Sequence, residues 1–184
     1  DCGAGSFQLA TSSCGSHVDS HGSGTVEALA RPLRARGLSP SEVADELIRT
    51  LCHELLSPIP ATLQQAICNP KFQVVAIGSQ HSIFNQQRIV AGKQFFSQHD
   101  VKKSLREVVA LDPPRLIEWE LERSRQLIDG DDDDRDEQRC IENATFLLPK
   151  LALLLAVMQH TNIRHVTYHK TNGNCNAILT QQKW

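Results

Sequence analysis

The chain opens with a segment whose residue types suit phosphate binding. Residues Asp1–Leu9 read D-C-G-A-G-S-F-Q-L. The glycines at positions 3 and 5 have no Cβ, so the backbone can take positive φ and bring several N–H donors close to one phosphate oxygen. Asp1, beside that turn, is a suitable ligand for a divalent metal that offsets phosphate charge. The segment predicts a phosphate site or, because short glycine motifs recur by chance, an ordinary turn between strands.

Two further glycine-containing loops follow predicted strands. Gly78-Ser79-Gln80 comes directly after the apolar run at 72–77, which is typical of a buried strand, and Asn172-Gly173-Asn174 comes after a strand predicted at 165–169. Ligand loops of α/β domains lie at the carboxyl ends of strands. We therefore expect the opening turn and these two loops to form one ligand-binding edge.

Helix signals separate the strands. Ser39-Pro40-Ser41-Glu42 combines an N-cap serine, a first-turn proline and a glutamate three residues after the cap, and it predicts a helix from Pro40 to Leu56. Ser97-Gln98-His99-Asp100 predicts the start of another helix, which Asp112-Pro113-Pro114 ends. The remaining expected elements are a strand at 7–11, a loop at 12–25, a helical segment at 26–36 that Pro32 interrupts, and helices starting at 79, 114, 141 and 177. This alternation indicates a single α/β domain over 1–184, in which an opening β-hairpin joins a mixed sheet with flanking helices.

Composition limits the classes of partner. Of the 184 residues, 40% are hydrophobic and 22% are charged, and the net charge is −2. These values are typical of a globular domain and give no general attraction to nucleic acid or to an anionic membrane. The longest apolar run, 146–158, is interrupted by Pro149 and Lys150 and is too short to cross a bilayer. We expect a cytoplasmic protein with no membrane partner and no specific nucleic-acid partner.

Two charged clusters stand out along the chain. The run G-D-D-D-D-R-D-E at 130–137 predicts a mobile, solvated loop over 129–138, because like charges repel; a metal-binding tract is the less favoured interpretation. Arg31, Arg34 and Arg36 form the densest basic cluster, which indicates a solvated helix face or, as the less favoured alternative, a surface that recruits a polyanion.

The cysteines and histidines form no recognisable metal motif. Six cysteines are scattered without a C-x-x-C pair, which favours reduced thiols over a disulfide framework. Cys52-His53-Glu54 fits a helix with surface and core positions better than a set of ligands.

In order and separation, the three loops resemble the second half of an exopolyphosphatase/guanosine pentaphosphate phosphatase (Ppx/GppA) protein, a branch of the actin-like ATPase superfamily. D-C-G-A-G-S-F-Q-L is similar to the family's second phosphate motif, D-[IL]-G-G-G-S-x-E-L, and V-A-I-G-S-Q-H-S-I at 75–83 is similar to its A-x-G-A-S-G-T-I strand and loop. The closing P-K-L-A-L-L-L-A-V-M and Y-H-K-T-N-G-N-C-N-A-I-L segments resemble the family's last helix, strand and turn. The resemblance covers nearly the whole chain and implies a ribonuclease-H-like fold.

The resemblance also implies a ligand and a set of site residues. Polyphosphate or a guanosine polyphosphate would bind between this domain and a similar domain upstream, and a carboxylate and Mg²⁺ or Mn²⁺ would assist hydrolysis. Asp1 would hold the metal, and Gln8 falls where the family has a glutamate on the metal side. A neutral amide binds Mg²⁺ less tightly than a carboxylate. The residues expected to cradle phosphate are Gly3, Ala4, Gly5 and Ser6 in the first loop and Gly78, Ser79 and Gln80 in the second.

Departures from the family pattern leave the activity open. Ala4 and His81 stand where the family has glycine, and the family's first phosphate loop and catalytic glutamate would lie upstream of Asp1. We expect residues 1–184 alone to be inactive and the full-length protein to be a phosphoanhydride hydrolase, with a homodimer left open. The alternatives are a non-catalytic sensor that binds nucleotide or polyphosphate and a kinase-type ATPase.

Overall fold

The computed structural model describes residues 6–11, 15–78, 82–125 and 133–170. It contains two small sheets and a set of helices. The strands are β1 (Phe7–Thr11), β2 (Gly15–Asp19), β3 (Val75–Gly78), β4 (Phe95–Ser97) and β5 (His165–Lys170). The helices are α1 (Ser23–Ala35), α2 (Pro40–Thr50), α3 (Ala61–Cys68), α4 (Ile83–Ala91), α5 (Gln98–Val109), α6 (Pro113–Arg125) and α7 (Asp133–His160), and a π-helical turn at Leu51–Leu55 extends α2. The α/β class expected from the sequence is confirmed.

The two capping boxes form as the sequence predicts. The Ser39 hydroxyl accepts from the backbone N–H of Glu42, and the Glu42 carboxylate accepts from the backbone N–H of Ser39 at 2.8 Å. Ser97 and Asp100 make the same reciprocal pair at the start of α5. Each box satisfies two N–H groups that a helix start otherwise leaves without a partner. These local signals explain why α2 and α5 begin where the sequence indicates.

Helix α7 lies at the centre of the fold. Its residues 151–158 are all buried, so this part of the helix is covered on every side. It packs against α1 and α2 on one side and against α5 and α6 on another. One hydrophobic cluster contains Leu153 and Val157 with Phe7, and a second contains Leu151 and Met158 with residues of the β3–β5–β4 sheet. This part of α7 therefore forms the centre of the hydrophobic core.

The predicted opening β-hairpin is present, but its second strand lies in a segment that was predicted to be loop. β1 pairs with β2 in an antiparallel hairpin, with Phe7 opposite Asp19 and Thr11 opposite Gly15, so the predicted loop at 12–25 is wrong for β2 and for the start of α1. The polar sequence of β2 gives no strand signal, because this strand forms through its pairing with β1. Helix α1 continues through Pro32. The proline removes the helical hydrogen bond to the carbonyl of Ala28, and both residues lie on the exposed face of the helix.

The second sheet has the order β3–β5–β4, with β3 parallel and β4 antiparallel to β5. Within the described residues no hydrogen-bonded ladder joins it to the β1–β2 hairpin, so the expected mixed sheet that includes the hairpin is not observed as one sheet. The strand expected at 72–77 begins only at Val75, and Phe72 and Val75 are 57% and 47% exposed. The run was expected to be buried on both faces, but among the described residues helices cover only one face of the sheet.

The acidic segment is also partly helical. α7 begins at Asp133, so the loop expected over 129–138 is wrong for its second half, while 129–132 lie outside the described residues. No helix in the described part of the chain is both long and apolar enough to span a membrane.

A candidate phosphate site

The carboxyl ends of β3 and β5 meet at one edge of the three-stranded sheet. The strands are parallel, and Gly78, the last residue of β3, lies opposite Lys170, the last residue of β5. The Tyr168 hydroxyl donates a hydrogen bond to the Gly78 carbonyl oxygen at 3.0 Å. The second predicted loop therefore leaves the sheet beside a cationic side chain and a phenol, at the position where α/β sheets bind ligands.

The turn from β3 into α4 requires glycine at its first position. A Cβ added to Gly78 would lie 2.9 Å from the Ser82 Cβ and 3.0 Å from its Oγ, closer than real Cβ atoms approach. Ser82 caps α4, because its hydroxyl accepts from the backbone N–H of Asn85 at 3.4 Å. The first turn of α4 contains no acidic residue. The positive end of the α4 dipole thus lies at this edge, and the carboxylate of the buried Glu120 accepts a hydrogen bond from Gln86 at 2.8 Å.

Two side chains give this edge further polar character. The Arg88 guanidinium donates through Nε to Asn85 Oδ1 at 2.9 Å, which holds it along α4. Burial raises the pKa of Tyr168, although a hydrogen bond with Ser82 and the charge of Arg88 partly oppose the rise. Tyr168 therefore keeps its proton at neutral pH and remains a hydrogen-bond donor.

The structure describes only some of the predicted site residues. Ser6 is half-buried just before β1, and Gln8 is exposed on β1. Gly78 occupies the end of β3 as expected. The other predicted phosphate, metal and loop positions lie outside the described residues; they are Asp1, Gly3, Ala4, Gly5, Ser79, Gln80, His81 and 172–174.

Hydrogen bonds connect the described neighbours of the opening turn to the end of α7, before β5 begins. Ser6 precedes Phe7, which pairs with Asp19. The Asp19 carboxylate accepts from the Ser57 N–H at 2.9 Å, and the Ser57 carbonyl oxygen lies 3.2 Å from Nε2 of His160, five residues before β5 begins. Gly78 instead lies beside the last residue of β5. The opening turn, Ser79 and Gln80 lie outside the described residues, so the expected juxtaposition of the opening turn and the second loop stays a prediction.

Sequence reasoning missed a buried carboxylate beside Ser6. Asp19 is 2% exposed and accepts hydrogen bonds from the backbone N–H groups of His21 and Ser57, and His21 Nδ1 lies 2.5 Å from its Oδ1. Burial raises the pKa of Asp19, but the hydrogen bonds from Ser57 and His21 outweigh burial and lower the pKa below its ordinary value. An aspartate at the end of a polar segment gives no sequence signal of this role, since Ser57 is 38 residues away.

The metal expected from the resemblance finds no complete site in the described residues. No group of three histidine, cysteine, aspartate or glutamate side chains is arranged to hold a metal ion in that part of the chain. Gln8 would supply one neutral oxygen, and Asp1 lies outside the described residues. The described residues therefore do not fit Mg²⁺ by themselves. Cys52 and Cys68 are free thiols, as expected, and His53 and Glu54 are exposed.

The basic cluster on α1 is largely engaged by a buried carboxylate. Arg34 donates two hydrogen bonds to Glu27, at 2.8 and 2.6 Å, and the Glu27 side chain is only 5% exposed. Arg31 Nε lies 3.6 Å from the same carboxylate and is 74% exposed. The side-chain hydrogen bond to Glu27 raises the pKa of Arg34. This arrangement favours a structural role over recruitment of a polyanion.

No protein-family model, curated protein or solved structure matches the chain.

Proposed function

We propose that this chain is a ribonuclease-H-like domain that binds a phosphoanhydride polyanion, either inorganic polyphosphate or a guanosine polyphosphate, and that the full-length protein hydrolyses it. The proposal rests on the resemblance of the three loops to the Ppx/GppA family and on the edge formed by β3 and β5. Hydrolysis would require an upstream domain with the catalytic carboxylate and a Mg²⁺ or Mn²⁺ ion that Asp1 helps to hold.

The observation that carries the proposal is the close approach of Gly78, at the end of β3, to Ser82, the N-cap of α4. Backbone N–H groups at a helix start bind phosphate because they have no partner within the helix and because the dipole favours negative charge. Arg88 adds a positive charge at the same edge, while the Tyr168 hydroxyl uses its proton to hold the Gly78 carbonyl oxygen. Arg88 is half-buried and tied to Asn85, which lowers the entropy lost when it contacts a phosphate.

The fold proposal concerns the relation between the two sheets. β1 and β3 each have one edge without a strand partner among the described residues, and Leu9 of β1 packs against both hydrophobic clusters. A further strand between these two edges would join five strands into one larger mixed sheet of the ribonuclease-H-like type. Hydrogen exchange in a longer version of the protein tests this, since such a strand would protect β1 amides that exchange rapidly in residues 1–184.

A non-catalytic sensor is the second candidate. Gln8 is exposed on β1 and is neutral, so it brings no negative charge to a metal. A protein of this kind would bind the polyanion without releasing phosphate. The assay that separates the two candidates is phosphate release from polyphosphate and from guanosine pentaphosphate by the full-length protein, with and without Mg²⁺. Binding without release identifies the sensor.

Binding is tested on residues 1–184 by isothermal titration calorimetry with polyphosphate and with guanosine pentaphosphate. Arg88→Gln should weaken binding about tenfold, because a charge-assisted contact is lost. Arg106→Gln is the matched control, since Arg106 is exposed on α5 and the change in charge is identical. Equal effects of the two substitutions, or no binding at low salt, would refute the site at this edge.

A further inference from the structure

One face of the three-stranded sheet carries no helix of the described chain. Ala76, Val166 and Phe96 point to the opposite, inner face and belong to the hydrophobic cluster that includes residues of α4 and α5. The cross-strand pairs Val75–Thr167 and Phe95–Thr167 put these three side chains in one row on the other side. We call this second side the outer face; its side chains are Val75, Ile77, Phe95, His165, Thr167 and His169.

Aromatic rings lie exposed on the outer face. Phe95 is 41% exposed, and its ring meets His165 edge-on with centroids 5.5 Å apart. Lys93 Nζ lies 5.6 Å from the centre of the Phe95 ring. His169 is also exposed, and Phe72, in the turn before β3, is 57% exposed. Exposed large apolar side chains that share one face of a sheet, as Val75 and Phe95 do on either side of β5, can mark a binding surface.

The segments that form the outer face are basic. Residues 69–78, 92–99 and 162–170 contain no aspartate or glutamate, but they contain Lys71, Lys93, Arg164 and Lys170, although the whole chain carries a net charge of −2. The carboxylate that acts on Lys93 is Asp100, which is bound by Ser97 in the capping box. Lys93 thus places a positive charge beside the exposed Phe95 ring, in a sheet whose segments carry further basic residues and no acidic ones.

We propose that the outer face binds single-stranded nucleic acid. Bases have flat faces that stack on exposed aromatic rings, and the phosphates between them are attracted to lysine and arginine around a sheet. A duplex would keep its bases stacked on one another and could not use Phe95. Polyphosphate has no bases, so it cannot stack on Phe95 as proposed here for an oligonucleotide.

The rings and the charges have separable roles. Stacking on Phe95 contributes affinity that is insensitive to salt, whereas each lysine contact releases a counterion and adds to the salt dependence of binding. Because stacking needs only a base face, the outer face binds oligonucleotides with little sequence preference.

Fluorescence anisotropy of labelled oligouridylate and oligodeoxythymidylate, each of about 12 nucleotides, tests the proposal with residues 1–184. Phe95→Ala should weaken binding about 5- to 100-fold, and Phe95→Trp should preserve it, because tryptophan offers a larger ring. Lys93→Gln should reduce the slope of log K against log salt by about 0.7. Lys103→Gln, exposed on α5, is the control and should leave the slope unchanged. The two oligonucleotides distinguish RNA from DNA as the ligand.

Several outcomes would overturn the proposal. Absence of binding at about 50 mM salt would do so, because nonspecific contacts are strongest there. Equal oligonucleotide affinity of the wild type, Phe95→Ala and Lys93→Gln would also overturn it. So would displacement of the oligonucleotide by duplex DNA, if Phe95→Ala has lost no affinity. Self-association of the chain that Phe95→Ala abolishes would instead identify the outer face as a contact between two copies.

Discussion

The ion pairs of Glu27 give a sharp test, because two arginines on one helix contact the same buried carboxylate in different ways. Arg34 makes two short hydrogen bonds and is 42% exposed, whereas Arg31 approaches only to 3.6 Å and is 74% exposed. Arg34→Gln and Arg31→Gln are identical changes on α1. The structure predicts that their effects on stability differ.

The magnitude follows from burial. Breaking a fully buried ion pair costs about 3–5 kcal/mol, because the remaining charge has no partner. Arg34 is nearly half exposed, so water can reach the vacated side of Glu27, and we expect Arg34→Gln to cost about 2 kcal/mol. Arg31→Gln should cost under about 0.5 kcal/mol, as for an exposed pair. For a chain of this length the first value corresponds to a fall in Tm of roughly 4–8 °C.

Urea and thermal unfolding followed by circular dichroism measure both variants. Equal losses of stability, or a loss below about 0.5 kcal/mol for Arg34→Gln, would refute the argument from burial. Polyphosphate binding provides the second readout. Arg34→Gln should leave the affinity for polyphosphate unchanged while the protein is folded. A clear loss of this affinity that is larger at low salt would instead show that the arginine cluster recruits the polyanion.

Three further predictions concern other regions. The pKa of Asp19 lies below its ordinary value of 3.8 in the folded state. The contribution of Asp19 to stability is therefore present above pH 3.8 and is lost as the pH falls through the folded pKa. Asp19→Asn should flatten the acid limb of a stability–pH curve, and an unchanged slope would contradict this. Gly78→Ala should destabilise by about 1–2 kcal/mol, and adding Ser82→Gly should recover part of the loss in chemical denaturation; failure to recover would exclude the Cβ contact as the cause. Residues 1–184 should release no phosphate from polyphosphate or guanosine pentaphosphate with Mg²⁺ in a colorimetric assay, and release that Asp1→Ala abolishes would show that the isolated chain is active.

Local sequence signals predicted the helices well. The starts of α2 and α5 depend on serines that cap and carboxylates three residues later, so the information lies within four residues. The core position of α7 followed from its density of leucine. The interruption expected at Pro32 is wrong, because the proline lies on the exposed side of α1, where water can bond the carbonyl that loses its helical partner.

Features that depend on distant residues could not be predicted. β2 has a polar sequence and forms because β1 pairs with it, and the exposure of Phe72 and Val75 depends on which face of the sheet the helices cover. In the candidate site, Gly78 was predicted at the end of β3, but the hydrogen bond from Tyr168 crosses 90 positions of sequence. Asp19 likewise gains its buried position from Ser57. Of the features of the candidate site, only the position of Gly78 at the end of β3 could be predicted from the local sequence.

The central position of α7 has a consequence for the order of folding during synthesis. Phe7, Val26 and Leu47 belong to a cluster that α7 completes with Leu153 and Val157. A nascent chain that has emerged only as far as α6 has all the amino-terminal members of that cluster but none of the side chains that cover them. These residues stay exposed until α7 emerges, which is the interval when collapsed chains aggregate or bind chaperones. The hydrophobic core can therefore be completed only late in synthesis, after the emergence of α7, which contributes residues to both clusters.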